Sequence, residues 1–235
     1  MKLLFDFHIH TALSPCGQNE MTPNNIVNMA LLNDLDVIAV TDHNACDNVK
    51  AVMEVAQQLD LLVVPGMEVE TKEEIHVVCL FESLEACTQL QKQIQSKMQV
   101  INGKDVFGEQ LIMNSQDEIV GKISNLLTQS SGISISSLKK MVDELDGVFI
   151  PAHIDRPSYS IIANLGMIPD NIAIFNLEIS RYAKLDEYKK LFPEYRILQS
   201  SDSHELGHIG ICKQSIEVEN RTIQDVIKFL KTLPK

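Results

Sequence analysis

Six imidazoles and two carboxylates in this chain stand where a βα fold gathers its reactive groups: His8, His10, His43, Glu68, His76, His153, Asp202 and His204. All but His76 come at or after the end of a short apolar run. Side chains at the C-terminal ends of barrel strands converge on one rim. A single histidine so placed is ordinarily a satisfied structural group. The whole set is hard to explain by packing, because polar groups on such a rim are costly unless paired or ligated. In His8-Ile9-His10 and Asp202-Ser203-His204, extended backbone sends residues i and i+2 to the same side, so both imidazoles of the first pair can face one ion while Ile9 faces the core. Mixed imidazole and carboxylate donors suit zinc, manganese or iron. Eight such donors exceed what one tetrahedral ion can use, so two or three divalent ions are expected. A carboxylate such as Glu68 would bridge a pair at ~3.5–4 Å, the separation that stabilises attacking and leaving oxygens in displacement at phosphorus.

The elements that must position these groups alternate. Lys2 to Phe7, Asp36 to Thr41, Leu61 to Gly66, Ile75 to Phe81, Gly147 to Pro151, Ala173 to Leu177 and Tyr195 to Ser200 read as buried parallel strands. Between them lie helical patterns. Thr22-Pro23 caps and opens one, Asp47 to Leu59 is a second, and Ser136 to Leu145 and Thr222 to Leu230 repeat apolar residues at spacings of three and four. The series is βα repeated, which predicts an α/β barrel or a doubly wound sheet in one domain spanning residues 1–235. About Gln95 to Ser134 the rhythm breaks. That stretch is polar, contains Gly103, Gly108, Gly121 and Gly132, and shows a weak helical pattern only from Asp117 to Leu127. It reads as an irregular excursion covering one face.

Five separate runs carry a resemblance to a known family: Asp6-Phe7-His8-Ile9-His10-Thr11, Thr41-Asp42-His43-Asn44, Pro65-Gly66-Met67-Glu68, Pro151-Ala152-His153 and Ser201-Asp202-Ser203-His204. They closely resemble, in order, the motifs of the PHP family, named for polymerase and histidinol phosphatase. The resemblance implies a distorted (β/α)7 barrel, a trinuclear metal centre and phosphoesterase activity. By that similarity His8, His10, Glu68 and Asp202 would hold one ion, Glu68, His76 and His153 a second, and His43 with His204 a third. Asp42 would orient a ligand imidazole through its other ring nitrogen. The sequence departs from the family where many relatives supply a further His or Asp, because Ser14-Pro15-Cys16-Gly17 stands there. Cys16 is either the third ion's remaining ligand or a turn residue.

Arg156, three residues after His153, and Arg181, three after Glu178, also follow strand ends. Guanidinium groups bind phosphate oxygens bidentately, so both are candidate substrate clamps, with structural ion pairs as the alternative. His208, the remaining histidine, is a candidate general acid or a capping group.

The balance of 20 Lys plus Arg against 32 Asp plus Glu gives a net charge of −12, with no basic stripe. That predicts a small phosphorylated substrate and no long nucleic acid, whose binding draws on clustered cations. No apolar stretch reaches the roughly 20 residues of a membrane span, and the five cysteines form no CxxC pair. A cytoplasmic protein with reduced thiols is expected. The leading activity is hydrolysis of a small phosphomonoester or nucleotide phosphate by a metal-bridging hydroxide. Glu68 and Asp202 would set the metals, and Arg156 would neutralise developing charge. Metal-dependent carbon–nitrogen hydrolysis and a metal-binding module without turnover are the other two readings.

Overall fold

The N-terminal apolar run forms β1 (Lys2–Ile9), followed by β2 (Val37–Val40), β3 (Leu62–Glu70) and β4 (His76–Leu80). A hairpin of β5 (Leu111–Met113) and β6 (Ile119–Lys122) precedes β7 (Val148–Pro151), β8 (Asn176–Ile179), β9 (Arg196–Gln199) and β10 (Gln214–Glu217). The helices are α1 (Pro23–Leu32), α2 (Val49–Ala56), α3 (Leu84–Gln95), α4 (Ile135–Glu144), α5 (Ile161–Leu165), α6 (Leu185–Leu191) and α7 (Ile223–Lys231). These elements come from a computed structural model that describes residues 1–102 and 108–234. Gly103, one of the residues of the excursion, lies outside the described residues. Caps sit where hydroxyls precede apolar periodicity: Thr22, Ser134 and Thr222 accept from the backbone amides of Asn25, Ser137 and Asp225.

Six strands form one curled sheet in the order β10-β1-β2-β3-β4-β7, and β8 with β9 forms a separate parallel pair. The fold is therefore α/β, as expected, but the distorted (β/α)7 barrel is corrected to a half-barrel whose sheet does not close and whose strands are not all parallel. Strands β1, β2 and β3 are parallel, but β4 runs antiparallel to both β3 and β7. The cause is connection length. Only residues 71–75 separate β3 from β4, whereas a parallel neighbour needs a crossover of roughly a dozen residues or more. Between β9 and β10 the side chain of Gln214 stands in for a strand peptide, accepting from the Gln199 amide at 2.6 Å and donating to the Ile197 carbonyl at 2.9 Å. Past β9 the chain returns to β1 through a bridge of Ile9 with Ser203.

Two apolar clusters flank the sheet. Leu3, Phe5, Phe7, Val37, Ala39 and Leu80 pack on its inner face with Val226, Ile227 and Leu230 of α7. Ile9, Ile38, Val40 and Val63 pack outward with α1 and α2 residues such as Ile26, Val27 and Val52. Strand β1 changes sides between these layers. Asp6 pairs with Ile38 but Ile9 pairs with Val40, so one extra residue is inserted in β1. Such a bulge re-aims side chains. Phe7 still points inward, Ile9 points outward, and His8 and His10 consequently turn into the inner rim.

The excursion is corrected in part. Its weak helical pattern at Asp117 to Leu127 is instead one arm of the β5–β6 hairpin, where the β-branched pair Ile119-Val120 and the left-handed turn at Asp117 (φ 61) favour strand and turn. Asparagines from the β2–α2 turn fasten it. Asn44 Nδ2 donates to the carbonyls of Leu127 (2.8 Å) and Gln129 (2.9 Å), and Asn48 donates to the Leu111 carbonyl (2.9 Å) and accepts from the Met113 amide (2.8 Å). Among the described residues no helix is long and apolar enough to cross a membrane.

Candidate metal centre

Glu68 lies at the middle of the rim, in the part of β3 that pairs with β4. Its two oxygens divide five imidazoles. Oε1 is 2.9 Å from His76 Nδ1, 3.2 Å from His153 Nε2 and 3.3 Å from His8 Nε2; Oε2 is 3.0 Å from His43 Nδ1 and 3.4 Å from His10 Nε2. Asp202 Oδ1 faces His10 Nε2 (3.2 Å), His8 Nε2 (3.4 Å) and His204 Nδ1 (3.5 Å). All eight residues singled out in the sequence thus converge. His76 reaches the rim because β4 is reversed, which puts its first residue at the end where β3 and β7 finish.

Backbone strain marks the same places. Asn44 (φ 50), His153 (φ 30) and Asp202 (φ 49) hold left-handed conformations that cost side-chain-bearing residues energy. Such strain persists where the surroundings over-determine it, commonly at functional sites. Asp6 supplies part of that constraint, accepting from the amides of Ser201 (3.0 Å) and Gly210 (2.9 Å) and so tying the Asp202 loop to β1.

Sequence patterning misses two orienting groups. Glu178, on β8, places Oε1 2.8 Å from His8 Nδ1, and Ser14 Oγ lies 2.9 Å from His10 Nδ1. Ser14 in turn donates to Asp42 Oδ1 at 2.6 Å. Asp42 also accepts from Thr11, at its amide and its hydroxyl. It therefore acts on a ligand ring only through Ser14, one step further out than expected. The strand-end position that marks Arg181 would, applied to carboxylates, mark Glu178 as well.

Burial disfavours charge throughout the cluster. It opposes ionisation of Glu68, yet His76, His8 and His43 hold that carboxyl well below its ordinary range. Burial also opposes protonation of His8, but Glu178, Glu68 and Asp202 raise it well above 6.5. For His76, burial is outweighed mainly by Glu68, and its value rises to about 9. Burial, with His204, drives His10 down to about 4; burial drives His43 well below 6.5. His10 and His43 are thus pushed toward the neutral form beside His8 and His76, where the carboxylates favour the protonated form. Divalent ions would replace those protons. The buried His43 Nδ1 has no hydrogen-bond partner, which also fits a ligand role. Three overlapping groups, His8–His10–Glu68, His43–Glu68–His76 and His10–Cys16–His43–His204, each bring their donor atoms within 4.8 Å of one another. Cys16 Sγ is thus close enough to His10, His43 and His204 to share an ion with them.

A pocket of about 270 Å3 opens over the cluster, its walls including Cys16, Glu70, Thr128, Arg156 and Tyr159. The excursion contributes Thr128, whose hydroxyl has no partner. Arg156 Nη2 lies 2.5 Å from Asp202 Oδ2. Arg181 is outside this wall: it donates to the Ser201 carbonyl at 2.8 Å and lies against Tyr182. His208 pairs with Glu205 at 2.8 Å and is likewise outside the wall.

A half-barrel whose rim gathers imidazoles around one carboxylate is the architecture of a metal-dependent hydrolase. The PHP domain matches residues 6–231, and the chain belongs to the PHP family, whose members are metal-dependent hydrolases. Among curated proteins none matches the sequence. Among solved structures, the lesion-specific Endonuclease Q of Pyrococcus furiosus is similar at 20% identity and TM-score 0.75, covering 98% of this chain and 56% of that one. A complex of Endonuclease Q with a 27-mer duplex substrate, an abasic lesion at its active site, gives 19% identity and TM-score 0.76, over 98% and 57% of the two chains. A protein described as a metal-dependent phosphoesterase from Bifidobacterium adolescentis gives 18% identity and TM-score 0.62, over 96% and 95%. The chain spans just over half the length of Endonuclease Q. The expectation that net acidity bars long nucleic acid is corrected, because a protein of this fold holds duplex DNA at its active site. Net charge sums the whole surface, whereas contact with a phosphate depends on the local field, and bound cations reverse that field at a rim of carboxylates.

Proposed function

We propose that the rim pocket is a hydrolytic centre that uses two or three divalent ions, of zinc, manganese or iron, to cleave phosphate esters. The observation that carries this reading is the division of Glu68, with His8, His76 and His153 around Oε1 and His10 and His43 around Oε2. A carboxylate so placed could be shared between neighbouring cations. His8, His10, Glu68 and Asp202 would hold one ion, Glu68, His76 and His153 a second, and His43, His204 and Cys16 a third. When bound, such ions supply Lewis acidity toward a phosphoryl oxygen and make water nucleophilic at neutral pH.

The chain's own residues do the positioning. Glu178 and Ser14 fix the rings of His8 and His10 through their far nitrogens. Arg156 engages Asp202 through Nη2 and keeps further N–H donors for phosphate oxygens at the pocket wall. A volume of about 270 Å3 lies at the small end for ligand sites. It suits a phosphoryl group with part of its leaving group, as in a small phosphomonoester or a nucleotide phosphate. The test is a screen of phosphomonoesters, phosphodiesters and amides after chelation and return of manganese or zinc. Metal-dependent turnover of a phosphate ester is expected. Turnover of amides alone would move the reading to carbon–nitrogen hydrolysis, and no turnover of any class would support a binding module.

A further inference from the structure

Of the four tyrosines in the chain, Tyr188 and Tyr195 pack against the core, while Tyr159 and Tyr182 stand 45% and 76% exposed. Both exposed rings are on the loops that leave the C-terminal ends of β7 and β8; Tyr159 lines the metal pocket, and Tyr182 stands outside its wall with Arg181. Each has an arginine close by in sequence, Arg156 and Arg181. The two loops are clamped together: Asp155 accepts from the Ser180 amide at 2.7 Å and from its hydroxyl at 2.6 Å. Both arginines also reach the same short segment, Arg156 at the Asp202 carboxylate and Arg181 at the Ser201 carbonyl.

Tyr159 is held at a cost. Its φ of 55 is left-handed, a rare conformation for a bulky residue. The His76 amide donates to its carbonyl at 3.0 Å, and its ring lies 4.8 Å from the His76 imidazole. Packing alone does not need a strained, half-exposed aromatic at the mouth of a polar pocket. At the other end, the Arg181 guanidinium sits 4.9 Å from the Tyr182 ring centroid. Contacts run from Arg156 to Asp202 and from the adjacent Ser201 through Arg181 to Tyr182, while Tyr159 and Arg156 share the pocket wall.

We propose that this strip binds a single-stranded nucleic-acid segment, with Tyr159 and Tyr182 stacking bases on either side of a phosphate that enters the metal pocket past Arg156. The inference rests on the phosphoesterase reading and names its substrate class. Stacking on aromatic rings is sequence-tolerant, because every base has a π-face. With Arg156 and Arg181 as the cations of the strip, the salt dependence of binding must be shallow, near −0.7 in log–log slope for each phosphate neutralised on a single strand.

The experiment is fluorescence anisotropy of the metal-loaded full chain with a short labelled phosphorothioate oligothymidylate, which resists cleavage, so binding is read apart from turnover. Tyr159→Ala and Tyr182→Ala should each weaken binding by roughly 5- to 150-fold. Tyr159→Phe should hold the wild-type affinity, and Tyr182→Phe, which also frees Arg181 Nη2 from the hydroxyl at 2.9 Å, should lose less than Tyr182→Ala, with metal content equal in all four variants. Arg181→Gln should make the salt slope shallower by about 0.7. Wild-type affinity in either alanine variant would overturn the proposal, as would equal affinity for a strand of abasic spacers, or no binding at low salt. Failure of the parent reading looks different: no phosphate ester is hydrolysed, whatever the strand affinity.

Discussion

His8 Nδ1 lies 2.8 Å from Glu178 Oε1, and that contact fixes which ring nitrogen His8 turns toward Glu68 and Asp202. A carboxylate on the far nitrogen of a ligand imidazole sets its tautomer and raises its basicity. Removing such a partner commonly costs ~10–100-fold in metal affinity. Glu178→Ala should therefore weaken metal binding by that order in a chelator competition titration, and Glu178→Gln by less. Unchanged affinity in the alanine variant would assign Glu178 to packing.

Cys16 Sγ shares a donor group with His10, His43 and His204. Bound metal should shield the thiol, so alkylation is slow in metal-loaded protein and fast after chelation. Cys16→Ser should lower metal content by one site and leave the rest. Timed alkylation with mass spectrometry reads this, and equal rates in both states would return Cys16 to the role of a turn residue.

Arg156 engages Asp202 through Nη2 at Oδ2, while Oδ1 faces His8 and His10. Arg156→Ala should thus leave the metal count intact and lower kcat/KM for a phosphate ester by ~1.5–3 kcal/mol, the scale of a hydrogen bond to a charged group. Loss of metal in this variant would show that its main work is holding Asp202.

Protons compete with metal at this rim. His8 is raised well above 6.5 and His76 to about 9 in the metal-free chain, against burial and chiefly by their neighbouring carboxylates. Both carry protons at neutral pH that binding must expel. Calorimetry in buffers of different ionisation enthalpy should show proton release at pH 7, and affinity should climb with pH until His76 is neutral above about 9. Metal binding without proton release would contradict the ring assignments.

Much of this site is legible in the sequence. The i, i+2 spacing in His8-Ile9-His10 and the strand-end positions of His43, His153 and Asp202 follow from periodicity alone. The closed ring does not follow, because the pairing direction of β4 depends on the short 71–75 connection, and seven apolar runs read alike whether parallel or antiparallel. The bulge in β1 is equally silent in sequence, since Asp6 to Ile9 alternates as an ordinary strand would. Glu178 has only its strand-end position as a signal, because a lone carboxylate in an apolar run carries no motif. Its meaning comes only from lying beside His8, far away in sequence.

If a shared carboxylate at Glu68 organises metal-dependent phosphate-ester cleavage, as we propose, the most direct test is the hydrolysis rate of a phosphate ester by wild-type and Glu68→Gln protein. Each is stripped by chelation and then returned to manganese or zinc, with folding checked by circular dichroism. Wild type should lose activity on chelation and regain it with metal. Glu68→Gln should stay folded yet remain at least ~100-fold slower, beyond what losing an outer partner costs. Activity that survives chelation, or near wild-type turnover by metal-loaded Glu68→Gln, would contradict that role for Glu68.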